Sequence, residues 1–420
     1  MIVRGGTVVT ARGASVADIA ISGEWIVAVG KNLDAEGEEI SASGLHVLAG
    51  GIDSHVHFNE PGRTEWEDIA HGTSALLAGG YTAFIDMPLN SVPVTTTVEA
   101  FDLKLAAMER SAKVDYGLWG GLVPGNLDEL RPLVERGVMG FKAFMCPSGI
   151  DEFPACDPAT LREGMELIAE LDSILLLHAE DPALLREQKG PTARDFVESR
   201  PAEAEVAAIS TGIDMARQTG CRLHIVHVST AKGADLIADA VKGGIDVSGE
   251  TCPHYLLYTE SDLEGLGGLG KCAPPLRTES DRERLWRMPI VVSDHSPSTY
   301  NLKQGKDFRN IWGGIAGCQT TRQLLIGREN YGPVGVAATT AKHVAQRFRL
   351  PHKGDIAPGF DADLWIVDLT AFKELEGADL LYRNPFSVHE GQEIRGMTVR
   401  TLVRGKDPGQ GRFIRPAVRS

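Results

Sequence analysis

The fold of this 420-residue chain is constrained most by a repeating alternation of apolar, strand-like runs with helix-like segments. The runs cover residues 51–57, 82–87, 116–123, 140–145, 174–178, 223–228, 245–251 and 290–294. Between them, apolar residues recur at helical spacing over 97–113, 158–171, 203–218 and 231–241. Eight strands alternating with helices over about 250 residues predict an α/β protein built on a (β/α)8 barrel. An open doubly wound sheet is the alternative, but no Gly-x-Gly-x-x-Gly follows the first run.

Both ends of the chain read differently. Short strand-like pieces at 2–3, 7–9, 18–21 and 25–29 are punctuated by Gly5-Gly6, Gly23 and Gly30. The same style returns at 362–368 and 399–405. Residues 1–50 and 351–420 are therefore expected to form one small β-sandwich-like domain, flanking a barrel over 51–350.

A net charge of -15 makes nucleic acid and anionic membrane surfaces poor partners. The six cysteines show no paired spacing, which fits a reduced, cytoplasmic setting. The N-terminus lacks the basic-then-apolar pattern of a signal peptide, and no apolar run approaches the ~20 residues of a membrane span.

In a barrel, reactive groups gather at the C-terminal ends of the strands. The first run, Gly51-Ile-Asp-Ser-His-Val-His57, puts His55 and His57 on one face, since alternate side chains of a strand share a side. The fourth buries Lys142 between Phe141 and Phe144, the fifth ends in His178, the sixth in His227 and the eighth in Asp294. Desolvation lowers the pKa of a lysine, and a neutral amine adds CO2 to give a carbamate with two oxygens. Four imidazoles, an N6-carboxylated Lys142 and Asp294 match the ligand needs of two divalent ions, such as Zn2+, Co2+, Mn2+, Fe2+ or Ni2+. Two such ions at about 3.5–4 Å can share a hydroxide as nucleophile, with Asp294 handling its proton. His224 lies three residues from His227, so a regular strand would turn it the other way, against a helix. His295 follows Asp294 and is expected to point away from it. His254, in Cys252-Pro-His-Tyr255, is open to either substrate contact or loop support. His46, His71, His343, His352 and His389 read as surface or packing residues.

These motifs resemble the amidohydrolase superfamily, and within it the cyclic amidohydrolases: dihydroorotase, dihydropyrimidinase or hydantoinase, and allantoinase. The likeness covers nearly the whole chain. It rests on Gly51-Ile-Asp-Ser-His-Val-His57, Gly140-Phe-Lys-Ala-Phe144, Val292-Ser-Asp-His-Ser-Pro297 and the stretch from Lys353 to Leu364. It implies a binuclear metal site of His55, His57, carboxylated Lys142, His178, His227 and Asp294. Residues 57–67, Asp86-Met-Pro-Leu-Asn90, Cys252-Pro-His-Tyr255, 271–277 and 312–317 are most similar to allantoinases. Asn59 stands where dihydroorotases usually carry an arginine, and Phe144-Met-Cys-Pro-Ser148 lacks the tyrosine of hydantoinases.

The resemblance implies ring opening of allantoin to allantoate. Substrate would meet backbone atoms near Ala273, Ile315 and Ala316, together with Ser296, His254 and Asn90. Arg63 reads as a solvated loop arginine within reach of a ureido arm. A homodimer or homotetramer is implied as well. Another cyclic amidohydrolase, or a non-catalytic scaffold on the same barrel, are the alternatives. The segments 285–290 and 324–333 look shorter than the family pattern, the first of them beside Asp294.

Overall fold

Three parallel strands, Gly51–Val56, Tyr81–Asp86 and Asp115–Leu118, form one arc of a barrel in the computed structural model. It describes residues 1–417 apart from Ala35, Asn330 and Pro408. Gly120–Gly121, Phe141–Phe144, Ile174–His178, Arg222–Ile225 and Val247–Gly249 form the other arc, again parallel. The arcs meet at Trp119, which links the strand pieces 115–118 and 120–121, and the Met139 N–H donates across the junction to the Leu118 carbonyl at 2.9 Å. On the far side the ring closes through single parallel bridges, Thr251 to Val291 and Val56 to His295. Every residue of the strands at 51–56, 81–86 and 174–178 is buried, as helices on the outside and side chains within require.

Four helices, Val98–Ser111, Pro158–Glu170, Ala202–Thr219 and Ala231–Lys242, lie where the apolar period places them. Three of them start at side-chain caps. Thr97 accepts from the Ala100 N–H, Asp157 from Ala159 and Thr160, and Thr230 from Gly233. Such caps contribute about 1 kcal/mol each.

The eighth run departs from expectation. Residues 290–294 form no ladder. They meet the end of the seventh strand through the isolated Thr251–Val291 bridge, with the Thr251 N–H donating to the Ile290 carbonyl at 3.1 Å and the Val292 N–H to the Thr251 carbonyl at 3.0 Å. The helix Glu279–Leu285 ends just before it, Pro289 has no N–H to donate, and Asp294 adopts φ +46°. A left-handed residue ends extended geometry, so the seam stays too short to be a strand.

The two chain ends share a seven-stranded sheet. Its order is Glu393–Leu402, Leu364–Glu374, His46–Ala49, Ile2–Thr10, Gly13–Ser22, Trp25–Gly30, with Glu39–Ser41 also pairing to Ile2–Thr10. The pieces expected at 2–3 and 7–9 are one strand. Its register shifts between Val3 and Gly6, where Gly5 takes φ +70° and its N–H donates to Asp18 Oδ1 at 2.9 Å. Glycine at that position lets the strand bulge and continue. Val3, Ile19, Val47, Leu364 and Leu402 form an apolar core for this sheet, separate from the larger core of the barrel.

A buried charge network fastens the sheet to the barrel. Lys353 Nζ lies 2.8 Å from Asp115, 2.8 Å from Asp361 and 2.7 Å from Asp363. Asp115 belongs to a barrel strand, and it also pairs with Arg404, just beyond the last sheet strand. Removing one partner of a buried ion pair strands the others at about 3–5 kcal/mol. Lys353→Met is therefore expected to lower unfolding free energy by about that amount. Urea denaturation followed by circular dichroism checks it, and a loss below about 1 kcal/mol would sink the role given to Lys353.

Candidate active site

All the donors converge at the barrel mouth. His55, near the end of the first barrel strand, and His57, just past it, face Asp294 Oδ1 through their Nε2 atoms, at 3.2 and 3.4 Å. On the opposite side, His178 Nδ1 approaches His227 Nε2 at 3.0 Å. Lys142 lies in Phe141–Phe144 with its ammonium 5.0 Å from the Phe144 ring centroid. It is buried, and its Nζ has no hydrogen-bond partner. These residues line one cavity of about 410 Å³.

Backbone strain turns two donors inward. His227 has φ +37° and Asp294 φ +46°, a region that costs a non-glycine residue about 1–3 kcal/mol. This also corrects the reading of the sixth strand. The strand Arg222–Ile225 stops short of His227, so strict alternation ends before it. His227 turns into the mouth, while His224 points into the barrel and not only against a helix. His224 Nε2 meets Glu250 Oε2 at 3.0 Å, its Nδ1 meets Ser248 Oγ at 2.7 Å, and its ring packs edge-on against Phe348.

Three buried carboxylates behind the donors were not anticipated from sequence. Glu250 Oε1 lies 2.5 Å from His55 Nδ1, so one carboxylate joins His55 to His224. Burial pushes His55 well below the usual imidazolium range, with Lys142 adding to the effect. Neutral His55 donates from Nδ1 to Glu250 and keeps the Nε2 lone pair for a cation. Glu180 Oε2 holds His178 Nε2 at 2.7 Å and is itself paired with Arg200. Burial alone would raise the Glu180 carboxyl, but Arg200 and His178 hold it down to about 2. Asp86 accepts the Phe58 N–H at 2.8 Å and pairs with buried Lys104, fixing the chain just past His57. Glu250 lies one residue past its strand and Glu180 two past its own, where hydropathy gives no signal.

The donor set fits divalent cations. Two imidazole nitrogens 3.0 Å apart repel unless a proton or cation lies between them, and His178 already turns its other nitrogen to Glu180. Burial lowers His55, His178 and His227, Lys142 adds to the effect, and all four line the same cavity. Burial pulls the Lys142 pKa down to about 7, against the opposing pull of Asp294 and Glu250.

Of the expected substrate contacts, Asn90, Ala273 and Ser296 line the cavity. The lining stops at Gly314, and Ile315 and Ala316 lie behind it. The Ile315 carbonyl accepts the Ser296 N–H at 2.9 Å and the Ala316 carbonyl accepts the Ser387 hydroxyl at 2.6 Å, so both are occupied. His254 is buried outside the lining, near Asp294 and Cys252. His295 turns from the mouth as expected, with Nδ1 accepting the Gly317 N–H. Arg63 is held by the Asn90 carbonyl and Glu152. Phe144, Arg200, Lys271, Arg309 and Trp312 also line the cavity and were not foreseen.

The chain belongs to the amidohydrolase family, whose model matches residues 46–406. Members of this family use divalent metal ions, in accord with the donor cluster. It is 47% identical to a protein named allantoinase from Rubrobacter xylanophilus, over 99% of this chain and 97% of the relative. A second allantoinase, from Solibacter usitatus, is 47% identical over 96% of this chain and 92% of the relative. The first alignment runs over 443 positions, more than this chain's 420 residues, so the relative carries segments absent here. Among solved structures, the L-hydantoinase (dihydropyrimidinase) of Arthrobacter aurescens superposes with a TM-score of 0.93 at 30% identity, over 98% of this chain and 97% of that one. The dihydropyrimidinase of Brevibacillus agri superposes with a TM-score of 0.89 at 28% identity, over 99% and 98%.

Glu250→Gln should keep the fold while weakening divalent metal binding by about 10–100-fold, because the His55 ring loses the carboxyl group that orients its Nδ1. Competitive metal binding against a chromophoric chelator measures this. Wild-type affinity in the variant would refute the role of Glu250.

Proposed function

We propose that this chain is an allantoinase, which hydrolyses the cyclic amide of allantoin to allantoate. The observation carrying this reading is the convergence of His55, His57, Lys142, His178, His227 and Asp294 in one cavity. Close identity to allantoinases over nearly the full chain supports the choice of substrate. Buried Asn59 brings no positive charge for a dihydroorotate carboxylate, and the Ser148 hydroxyl is engaged with the Phe153 carbonyl.

The proposed ligands are His55, His57 and Asp294 on one side, His178 and His227 on the other, and N6-carboxylated Lys142 serving both. The unpartnered, buried Lys142 amine supports carboxylation: it adds CO2, releases one proton and gains two oxygen donors. Two divalent ions, Zn2+ in the first instance, would supply Lewis acidity and a water acidified toward neutral pH. The protein does the rest. Asp294, held at the mouth by its strained backbone, takes the proton from the attacking water and passes it to the departing ring nitrogen. Asn90, Ser296 and backbone atoms near Ala273 orient the ring amides. The division into residues 51–350 and a composite of 1–50 with 351–420 is supported by the smaller apolar core, which apart from Ala341 draws its buried residues from the two chain ends. Six buried free cysteines support a reducing, cytoplasmic setting. A homodimer or homotetramer completes the reading and is open to sedimentation analysis.

Protein reconstituted with zinc and bicarbonate should open allantoin far faster than dihydroorotate, hydantoin or dihydrouracil, as product formation will report. Preference for another ring would keep the site and reject the substrate. Asp294→Asn should lower kcat by about 10²–10⁴-fold while the protein stays folded. A variant retaining full kcat would remove Asp294 from the reaction.

A further inference from the structure

Beyond the mouth itself, four groupings of His, Cys, Asp and Glu among the described residues are tight enough to hold an ion. Three already contain a cation or are internally satisfied. The Lys353 ammonium fills the Asp115, Asp361 and Asp363 cluster. Arg200 lies against Glu180 and Cys146, and His178 is bonded to that same Glu180. Asp68 is engaged by His71 and Arg383, and Glu67 accepts the Arg383 N–H.

The fourth, Cys252, His254 and Asp294, differs. His254 is 1% exposed, yet neither ring nitrogen has a hydrogen-bond partner. Buried polar groups are rarely left so, and an unsatisfied one in a native protein calls for an unseen ligand. A Cys252 sulfur, a His254 nitrogen and an Asp294 oxygen lie within 4.8 Å of one another. Thiolate, imidazole and carboxylate together select borderline-soft ions over Mg2+ or Ca2+. Asp294 borders the cavity, which gives an ion a way in. His55 and His57 both face its Oδ1, leaving a second carboxylate oxygen for another ion.

We infer that Cys252, His254 and Asp294 form a distinct, inhibitory site for a thiophilic divalent ion such as Cd2+ or excess Zn2+. As the sulfur–metal bond forms, the Cys252 thiol proton passes to solvent. The ion then ties up the carboxylate that must carry a proton. The inhibitory half rests on the proposed role of Asp294, whereas the binding half does not.

The test is a Cd2+ titration of the zinc-loaded protein, following thiolate-to-cadmium ultraviolet absorbance together with allantoin turnover. Nitrogen and oxygen ligands of the main site give no such band. The expected result is a band saturating at one further Cd2+ per chain, with turnover lost over the same range. Cys252→Ser should lose both the band and the inhibition, while Cys272→Ser, altering a thiol on the cavity wall, should keep both. His254→Gln offers a second route should Cys252→Ser fail to fold, and should shift the band to higher Cd2+. No band in the unaltered protein, a band surviving Cys252→Ser, or a band without loss of turnover would each overturn the inference. Absence of allantoin turnover before Cd2+ is added would fault the functional reading alone, since the band still decides the site.

Discussion

Closure of the barrel depends on a seam only a few residues long. The His57 N–H donates to the His295 carbonyl at 2.8 Å, and Val56 bridges to His295 in parallel. That contact brings the segment holding Asp294 beside the strand holding His55 and His57. A regular eighth strand would pair along its length, but here the approach from the preceding helix is short and Pro289 lacks a donor. The site is therefore assembled by the same contacts that shut the ring, and disturbing the seam separates Asp294 from its imidazole partners.

Behind the donors stand buried charges whose positions are fixed by one another. Glu250 spans His55 and His224, Glu180 spans His178 and Arg200, and Asp86 spans the Phe58 backbone and Lys104. Each carboxylate is fully buried and is held only because it is hydrogen-bonded or paired. What this arrangement gives the site is orientation: His55 and His178 each have one nitrogen committed to a carboxylate behind the ring and the other turned to the mouth. Lys142 is the exception, buried without a partner, and its amine therefore carries much of the case for carboxylation.

Fold and substrate are set at different levels here. The hydantoinase and dihydropyrimidinase structures share the whole architecture at 28–30% identity, which places the barrel and its mouth. Shared architecture does not choose the ring that is opened. Around the donors this chain places buried Asn59, the Phe144 to Ser148 turn with its hydroxyl engaged, and the wall formed by Trp312 to Gly314, and the proposed choice of ring rests on these together with the likeness to allantoinases.

The sequence alone determined the alternation of eight apolar runs, the helical stretches between them, and the donor types at the strand ends. Those signals are local: helical periodicity and strand alternation act over a few residues. Tertiary structure decided what depends on contact between distant segments. It made the eighth run a bridge and not a strand, and carried the first strand through its bulge at Gly5 by bonding it to Asp18. It bent His227 and Asp294 into the left-handed region and turned His224 toward Glu250. It also placed Glu250, 195 residues from His55, against that ring. No local pattern reports a carboxylate whose whole role is to meet a histidine from the far side of a barrel, because burial and pairing exist only once the barrel has closed.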